Sequence, residues 1–416
     1  MPVTSAPPGA RPSKTINIGF NEGTIAEFAA AVLLCGAVVW AARGPNVEKT
    51  DFSVTYLGAR IIYQGQGAKL YDLREQASLK SSLFARAEPL IYEHPPFEAF
   101  FLAPLAGLPY RRAYLIWGLV NVLIWLVLPY VFRPYAPVPK DALGYLALWI
   151  LFAPLGIALY QGQSSLLLLL VYALTFISLK RGHDFRAGLC LGLGLFKFQF
   201  VLPFALIFVF RRKWKLLEGF ALTATLLGAV SLAAVGWQGL LSYVHLLLNI
   251  AGNPDNLSYG AVTDMASLQG FVHAILGRRV GPAIVRLMVA AVSVFLVLLI
   301  AWRWRQENTE DFFDIMFAVA LVVSLVTGFH LFLHDMSPLI LAMLLVCAHF
   351  PGRDRPGLRL ALGTTLVLFW IPTLYFVLLA RHRVYLEFPL LMVFAFAALR
   401  LAENSADATE LVSQCF

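Results

Sequence analysis

The feature that most constrains this chain is a succession of long apolar runs broken by short polar stretches. They lie at about 27–43, 96–108, 112–132, 142–159, 163–180, 186–198, 200–211, 215–236, 282–302, 312–330, 336–349, 358–378 and 386–400. A water-soluble core cannot hide so many runs of this length, so their surplus surface must face lipid. In lipid the backbone has to satisfy its own hydrogen bonds, and a helix does so within one segment. Composition agrees, with 59% of 416 residues hydrophobic, 13% charged and a mean hydropathy of +0.74. A soluble domain carries roughly twice that charged fraction. The expected fold class is therefore an all-α integral membrane protein, a polytopic helical bundle. Several runs fall short of the ~20 residues of a full span, which leaves an expected count of 11–13 crossings.

The net charge of +8 could suggest nucleic acid, but its placement excludes that class. The basic residues form short clusters between apolar runs: Arg111–Arg112, Lys180–Arg181, Arg211–Arg212–Lys213, Arg303 with Arg305, and Arg353 with Arg355. Clusters of this kind mark cytoplasmic loops. With the last four inside, the outer segments are 45–95, the Gln161–Gly162–Gln163 turn, 197–200, 237–281, 330–336 and 379–385. One conflict remains across 96–132, where two apolar runs stand between an outer and an inner loop. Either 96–108 turns back or one loop breaks the charge rule.

Residues 1–22 are Pro-rich and polar and are expected to form a disordered cytoplasmic N-terminus, with 28–40 read as an uncleaved signal-anchor helix. One transmembrane domain follows over 23–401, then a cytoplasmic tail over 402–416. Cysteines at 35, 190, 347 and 415 have neither zinc nor disulfide spacing. The first outer loop holds two amphipathic candidates, Phe52–Tyr63 and 73–87, headed by Asp51 and Asp72 as N-caps. The second carries a short helix over 265–276.

Some polar residues near the ends of the apolar runs are candidates for chemistry. Asp51 is either an N-cap or a general base at the membrane surface. His330, His334 and Asp335 stand in GFHLFLHDMSP; the i,i+4 spacing puts both imidazoles on one helical face, as a hydrated helix end or as a site. Lys197, between two apolar runs, either snorkels to the interface or meets an anionic lipid phosphate. His94 stands in Glu93–His94–Pro95–Pro96, and Gln161 and Gln163 flank a glycine in what reads equally as a polar hairpin. All fall on the same expected side of the membrane.

The runs DFSVTYLGARIIYQGQGAKLYD, YEHPPFEAFFLAPLAGLP, YQGQSSLLLLL and AGLCLGLGLFKFQFVLPFALIFVFRRKW occur in that order. MASLQGF at 265–271 and the His330/His334 region follow. This order resembles glycosyltransferase family 87, over about residues 51–340. The resemblance implies a GT-C fold with interfacial helices in its first outer loop. It also implies a polyprenyl-phosphate sugar donor, with mannose the expected hexose, and a lipid or glycan acceptor. The reaction is expected on the extracytoplasmic face of the plasma (inner) membrane, with inversion and without cofactor or metal. In such enzymes an acidic residue opening the first outer loop is the base, a position matched by Asp51. Lys197, His330 and His334 are then expected at the donor phosphate. His94, Gln163 and Gln199 are expected to orient sugar or acceptor, and Asp335 to hold a histidine tautomer. The chain departs from many other GT-C enzymes in carrying one acid, followed by Phe52, in place of paired acids.

The rival reading is a transporter or flippase of lipid-linked sugars, which should show internal repeats and ionisable residues at the bilayer midplane. No repeat stands out, and the ionisable residues sit at helix ends. A scaffold of envelope assembly leaves the ordered motifs unexplained.

Overall fold

A computed structural model describes residues 22–85, 88–253, 256, 260–305 and 310–414. Among these, every regular element is helical. The chain runs α1 (Glu22–Arg43), α2 (Phe52–Tyr63), α3 (Leu73–Leu83), α4 (Pro96–Ala106), α5 (Tyr110–Phe132), α6 (Ala142–Leu151) and α7 (Ala153–Gln161). It continues through α8 (Ser165–Lys180), α9 (Asp184–Leu193), α10 (Phe198–Phe210), α11 (Trp214–Gly252), α12 (Leu268–Leu276) and α13 (Pro282–Arg303). The last five are α14 (Glu310–Val326), α15 (Leu339–Ala348), α16 (Pro356–Trp370), α17 (Pro372–Ala380) and α18 (Glu387–Gln414). The expected disordered N-terminus lies, but for Glu22, outside the described residues, as do the last two residues of the expected tail.

Burial sorts these helices as their sequences require. The apolar residues of α14 and α15 carry no polar face, and from Ile315 to Val326 and from Leu339 to Val346 they are buried all round. They form the centre of the bundle. By contrast, α13 turns Leu287, Val294 and Phe295 outward, and α1 does the same with Phe28 and Leu33. A bundle whose large apolar side chains remain exposed on its outer helices needs lipid around it.

The number of long crossings is smaller than the number of apolar runs. Six helical stretches are long and apolar enough to cross a membrane, or up to eight if two bent pairs each count as one. The runs 186–198 and 200–211 are one stretch, Asp184–Phe210, continued through the 3-10 turn Gly194–Lys197. The bent pairs are α6–α7, at 55°, and α16–α17, at 70°. Pro372 disfavours helical backbone at Ile371, which is extended at φ −83° and ψ 104°. Part of the expected outer segment 237–281 is helical, since α11 continues to Gly252 past a bend at Gly236.

The conflict across 96–132 turns on α4. It has 11 residues and spans about 16 Å, too short to cross. Its start bears Glu98, which contacts the cavity-lining His94 described below. Beyond its end, the Leu108 carbonyl accepts from the Tyr56 hydroxyl and Tyr110 meets Thr50, next to Asp51. Both ends of α4 therefore lie near Asp51, and Arg111–Arg112 lies at the same end, where Arg111 donates to the carbonyls of Ala42 and Gly44. The remaining basic clusters gather at the opposite end, with Lys180–Asp314 at 2.8 Å, Lys213–Asp184 at 3.1 Å and Arg303–Glu403 at 2.8 Å.

Helices α9 and α11 approach until their backbones nearly touch. A Cβ on Gly188 would lie 1.9 Å from the Leu216 carbonyl oxygen, and one on Gly219 would lie 2.1 Å from that of Phe185. Small residues at such crossings are how helices associate where water offers no driving force. Gly188→Val is therefore expected to push the pair apart and cost about 1–3 kcal/mol. A fall in the thermal unfolding midpoint of the detergent-solubilised protein reads this out, and an unchanged midpoint would refute the contact.

Candidate active site

The site is assembled at the helix ends opposite the basic clusters. Asp51 follows the 3-10 turn Val47–Lys49, which Thr50 closes by donating its hydroxyl to the Val47 carbonyl. It stands at the start of α2 as expected, but its side chain makes no capping bond; its backbone is already helical, at φ −60° and ψ −24°. Asp72, in contrast, caps α3 by accepting from the N–H groups of Arg74 and Glu75. The Asp51 carboxylate is left free of local backbone and turns to side chains from elsewhere.

Those side chains come from the Gln161–Gly162–Gln163 turn. Gln163 Nε2 donates to Asp51 Oδ2 at 2.9 Å, and Gln161 Oε1 accepts from the Asp51 N–H at 3.2 Å. Gly162 ends α7 in the left-handed conformation, at φ +64°, and an added Cβ would meet that of Phe52 at 2.7 Å. Glycine alone suits both demands. The turn is thus a clamp on the start of α2.

Behind Asp51 lies a buried ion pair. Lys197 closes the turn that links α9 to α10, and its side chain is 4% exposed. It does not snorkel: its ammonium is bonded to Asp335 Oδ1 and donates to Gln163 Oε1 at 3.2 Å. Asp335 also accepts from Ser165 Oγ at 3.3 Å and from the Phe332 N–H at 3.3 Å. A carboxylate so fully supplied with donors remains charged out of water.

The expected helical face carrying both histidines is not formed. After Val326 the chain leaves the helix; His330 sits in an irregular segment and His334 in the 3-10 turn Leu333–Met336. The segment is tied across the bundle by the Ala266 N–H donating to the Leu331 carbonyl, at 2.7 Å. The two imidazoles accordingly serve different neighbours. His334 lies between two acids, with Nδ1 3.7 Å from Asp51 Oδ2 and Nε2 3.4 Å from Asp335 Oδ2. His330 Nδ1 lies 3.3 Å from Glu93 Oε1.

His94 closes the opposite side. Tyr71 donates its hydroxyl to the His94 carbonyl at 2.7 Å, and the imidazole stacks on Tyr92 with centroids 5.6 Å apart. Tyr92 is placed by α3. The expected apolar stripe of 73–87 gives way to a helix ending at Leu83, with Leu73 exposed and Gln76 buried; residues 86–87 lie outside the described residues. Gln76 accepts from the Tyr92 N–H at 2.8 Å and donates to the carbonyls of Tyr92 and Leu70. A buried amide, rather than an apolar stripe, fixes the 88–95 segment.

Asp51, His94, Gln163, Lys197, Gln199, His330, His334 and Asp335 all line one cavity of about 290 Å³. Glu93, Gln161 and Asp264 complete its polar wall. Asp264 pairs with His382 at 3.0 Å, tying the segment before α12 to the turn after α17. Three contributors carry little sequence signal: Asp264 and Ser165 stand in no pattern, and Glu98 is marked only by its four-residue distance from His94. Among the described residues no group of three or more His, Cys, Asp or Glu side chains is placed to hold a metal ion.

A second, apolar groove of about 520 Å³ lies beside the polar cavity, with His330 lining both. It passes Phe198, Leu247 and Ile250 and follows α13 from Pro282 to Val294, about 18 Å of helix. The arrangement therefore places a carboxylate, an ammonium and several imidazoles in one cavity, beside an apolar groove.

Against known proteins, the profile of glycosyltransferase family 87 matches residues 92–328, more than half of the chain. His94, Gln163, Lys197 and Gln199 fall inside the matched stretch, and Asp51, His330, His334 and Asp335 outside it. No curated protein and no solved structure matches the chain.

Proposed function

This chain belongs to glycosyltransferase family 87 and is a membrane glycosyltransferase, and from that premise we propose that it transfers one hexose from a polyprenyl-phosphate donor to a lipid or glycan acceptor. Mannose is the favoured sugar, on family resemblance. The observation that carries the reading is the junction at His330 between the polar cavity and the apolar groove. A lipid-linked sugar phosphate is amphipathic in this way, with a hydrocarbon stem on an anionic head.

In the proposed reaction Asp51 takes the proton of the acceptor hydroxyl. The acceptor oxygen bonds to the anomeric carbon from the face opposite the leaving group, which inverts that centre. The bond from carbon to phosphate oxygen breaks, and its electron pair leaves with the lipid phosphate. A phosphate needs stabilisation of its charge more than a proton, so one base suffices, unlike the paired carboxylates of a glycosidase. His334, held between Asp51 and Asp335, and Gln163 keep the Asp51 carboxylate aimed. His330 stands where the stem would give way to the head. The collection of basic clusters at the other end supports a cavity facing away from the cytoplasm, at the outer surface of the plasma membrane.

The test is transfer of labelled sugar by the purified protein, supplied with either a polyprenyl-phosphate sugar or the matching nucleotide sugar. Turnover of the lipid donor alone is expected; turnover of the nucleotide sugar alone would overturn the reading. The groove makes a further prediction. Ala290 faces it from an exposed position on α13, so Ala290→Trp should fill it at little cost in stability. Losing burial of about two methylenes of the stem predicts a donor KM raised about tenfold, with kcat kept. An unchanged KM would place the stem elsewhere.

A further inference from the structure

The charges of the cavity are unevenly committed. Lys197 is bound to Asp335, and His334 lies between Asp335 and Asp51. His330 stands beside Glu93. His94 alone is backed by a carboxylate behind the cavity wall: Glu98, 7% exposed, whose Oε2 lies 2.7 Å from His94 Nδ1. The other oxygen, Oε1, accepts from Ser164 Oγ at 3.1 Å. Among the described residues Oε2 accepts no hydrogen bond of good geometry, and its close approach to His94 Nδ1 is an ion-pair contact. Tyr71 fixes the His94 carbonyl and Tyr92 supports the ring; with Nδ1 turned to Glu98, Nε2 is the remaining polar atom of this cavity-lining imidazole.

We propose that Glu98 is a positioning residue: it holds His94 with Nδ1–H turned inward and a second N–H, on Nε2, offered to an anionic oxygen of the lipid phosphate. The inference rests on the lipid-phosphate reading above and deepens it by naming the cation that meets the phosphate. The proton stays on Nε2 throughout, as a hydrogen-bond donor. Lys197 is less available for this duty, because a second anion would compete with Asp335 for its ammonium. Ser164 gives Glu98 a second anchor, so its carboxylate cannot swing away from the imidazole.

The charges around His94 favour its protonated form more than burial disfavours it. Burial alone would push its pKa down, but the Glu98 carboxylate, by charge and by hydrogen bond, outweighs burial. Glu93 adds to Glu98, while Lys197 opposes both, and the result lies above the usual histidine value. His334 also faces this ring, and Tyr71 and Tyr92 are neutral there. Attraction for an anion is then present below the raised pKa and lost as pH rises through it.

The experiment is binding of a polyprenyl methyl phosphodiester, whose own charge is constant across the neutral range, to the full-length protein in detergent at a series of pH values. In the wild type, affinity should fall as pH rises through the His94 titration. Glu98→Gln should move that fall to lower pH and weaken binding roughly tenfold at neutral pH, the worth of one charge-assisted hydrogen bond. Glu98→Asp should keep most of both, and His94→Asn should flatten the profile. An unshifted midpoint in Glu98→Gln, or a wild-type fall persisting in His94→Asn, overturns the positioning role while leaving the lipid donor standing. Should Glu98→Gln fail to fold, the His94→Asn profile still decides. Wild-type protein that binds the phosphodiester no better than polyprenol at any pH would remove the lipid-phosphate reading, and this proposal with it.

Discussion

Replacing Asp51 with asparagine is expected to lower the rate of sugar transfer by roughly 10²–10⁴-fold, the usual worth of a positioned general base. The substitution keeps shape and hydrogen bonding. Gln163 can still donate to the remaining carbonyl oxygen at the place of Asp51 Oδ2, and the main-chain bond to Gln161 is untouched. Because the Asp51 side chain caps no helix, removing its charge does not unfasten α2. Loss of rate should therefore come without loss of fold or of donor binding, as a fall in kcat at nearly constant KM. Initial rates of labelled-sugar transfer, compared with the unfolding midpoint of the same preparation, check this. An asparagine variant working at more than a tenth of the wild-type rate would remove Asp51 from the role of base.

The second large effect concerns Lys197. Lys197→Met would leave Asp335 ionised, buried and short of its strongest donor, with side-chain exposure of only 3%. Breaking a buried pair by removing one partner costs about 3–5 kcal/mol, whereas replacing both partners with apolar residues is often neutral. Lys197→Met alone should thus lower the unfolding midpoint sharply, and Lys197→Met with Asp335→Leu should restore much of it. Transfer should not return in the double variant. Asp335 also approaches His334 at 3.4 Å, and Lys197 also holds Gln163, the residue bonded to Asp51. Stability and activity would part company, which separates a pair that aims the site from one that only fills the bundle. A double variant as active as wild type would show that the pair is structural alone.

Both predictions depend on contacts of very different legibility. The motif runs around Asp51, Gln163 and Lys197 stand out in the sequence because polar side chains are costly at the edge of apolar segments. That cost made each of them conspicuous one at a time. Their partnership was not visible, since Asp51 meets Gln163 across 112 residues and Lys197 meets Asp335 across 138. Periodicity misleads at His330 and His334, where an irregular segment, fastened by the Ala266–Leu331 backbone bond, replaces the helix that the spacing predicts. It misleads also at 73–87, where burial of the Gln76 amide overrides an apolar stripe. Hydrophobic periodicity records which face is buried on average; it does not record a single polar residue buried by a specific bond.

What the sequence determined by itself was the solvent and the class of fold. Apolar runs with few charges require lipid, lipid requires helices, and the basic clusters sort the ends of most of them, because these are consequences of local composition. The tertiary structure decided which ends meet. It packed α4 beside α2, with Arg111–Arg112 at the Asp51 end, and it set an apolar groove beside a polar cavity with His330 lining both. It also set Glu98 behind His94, at 2.7 Å. These are pairings between segments distant along the chain. They are fixed by packing and by the need to satisfy each buried charge, and neither of those can be evaluated until the helices are in place.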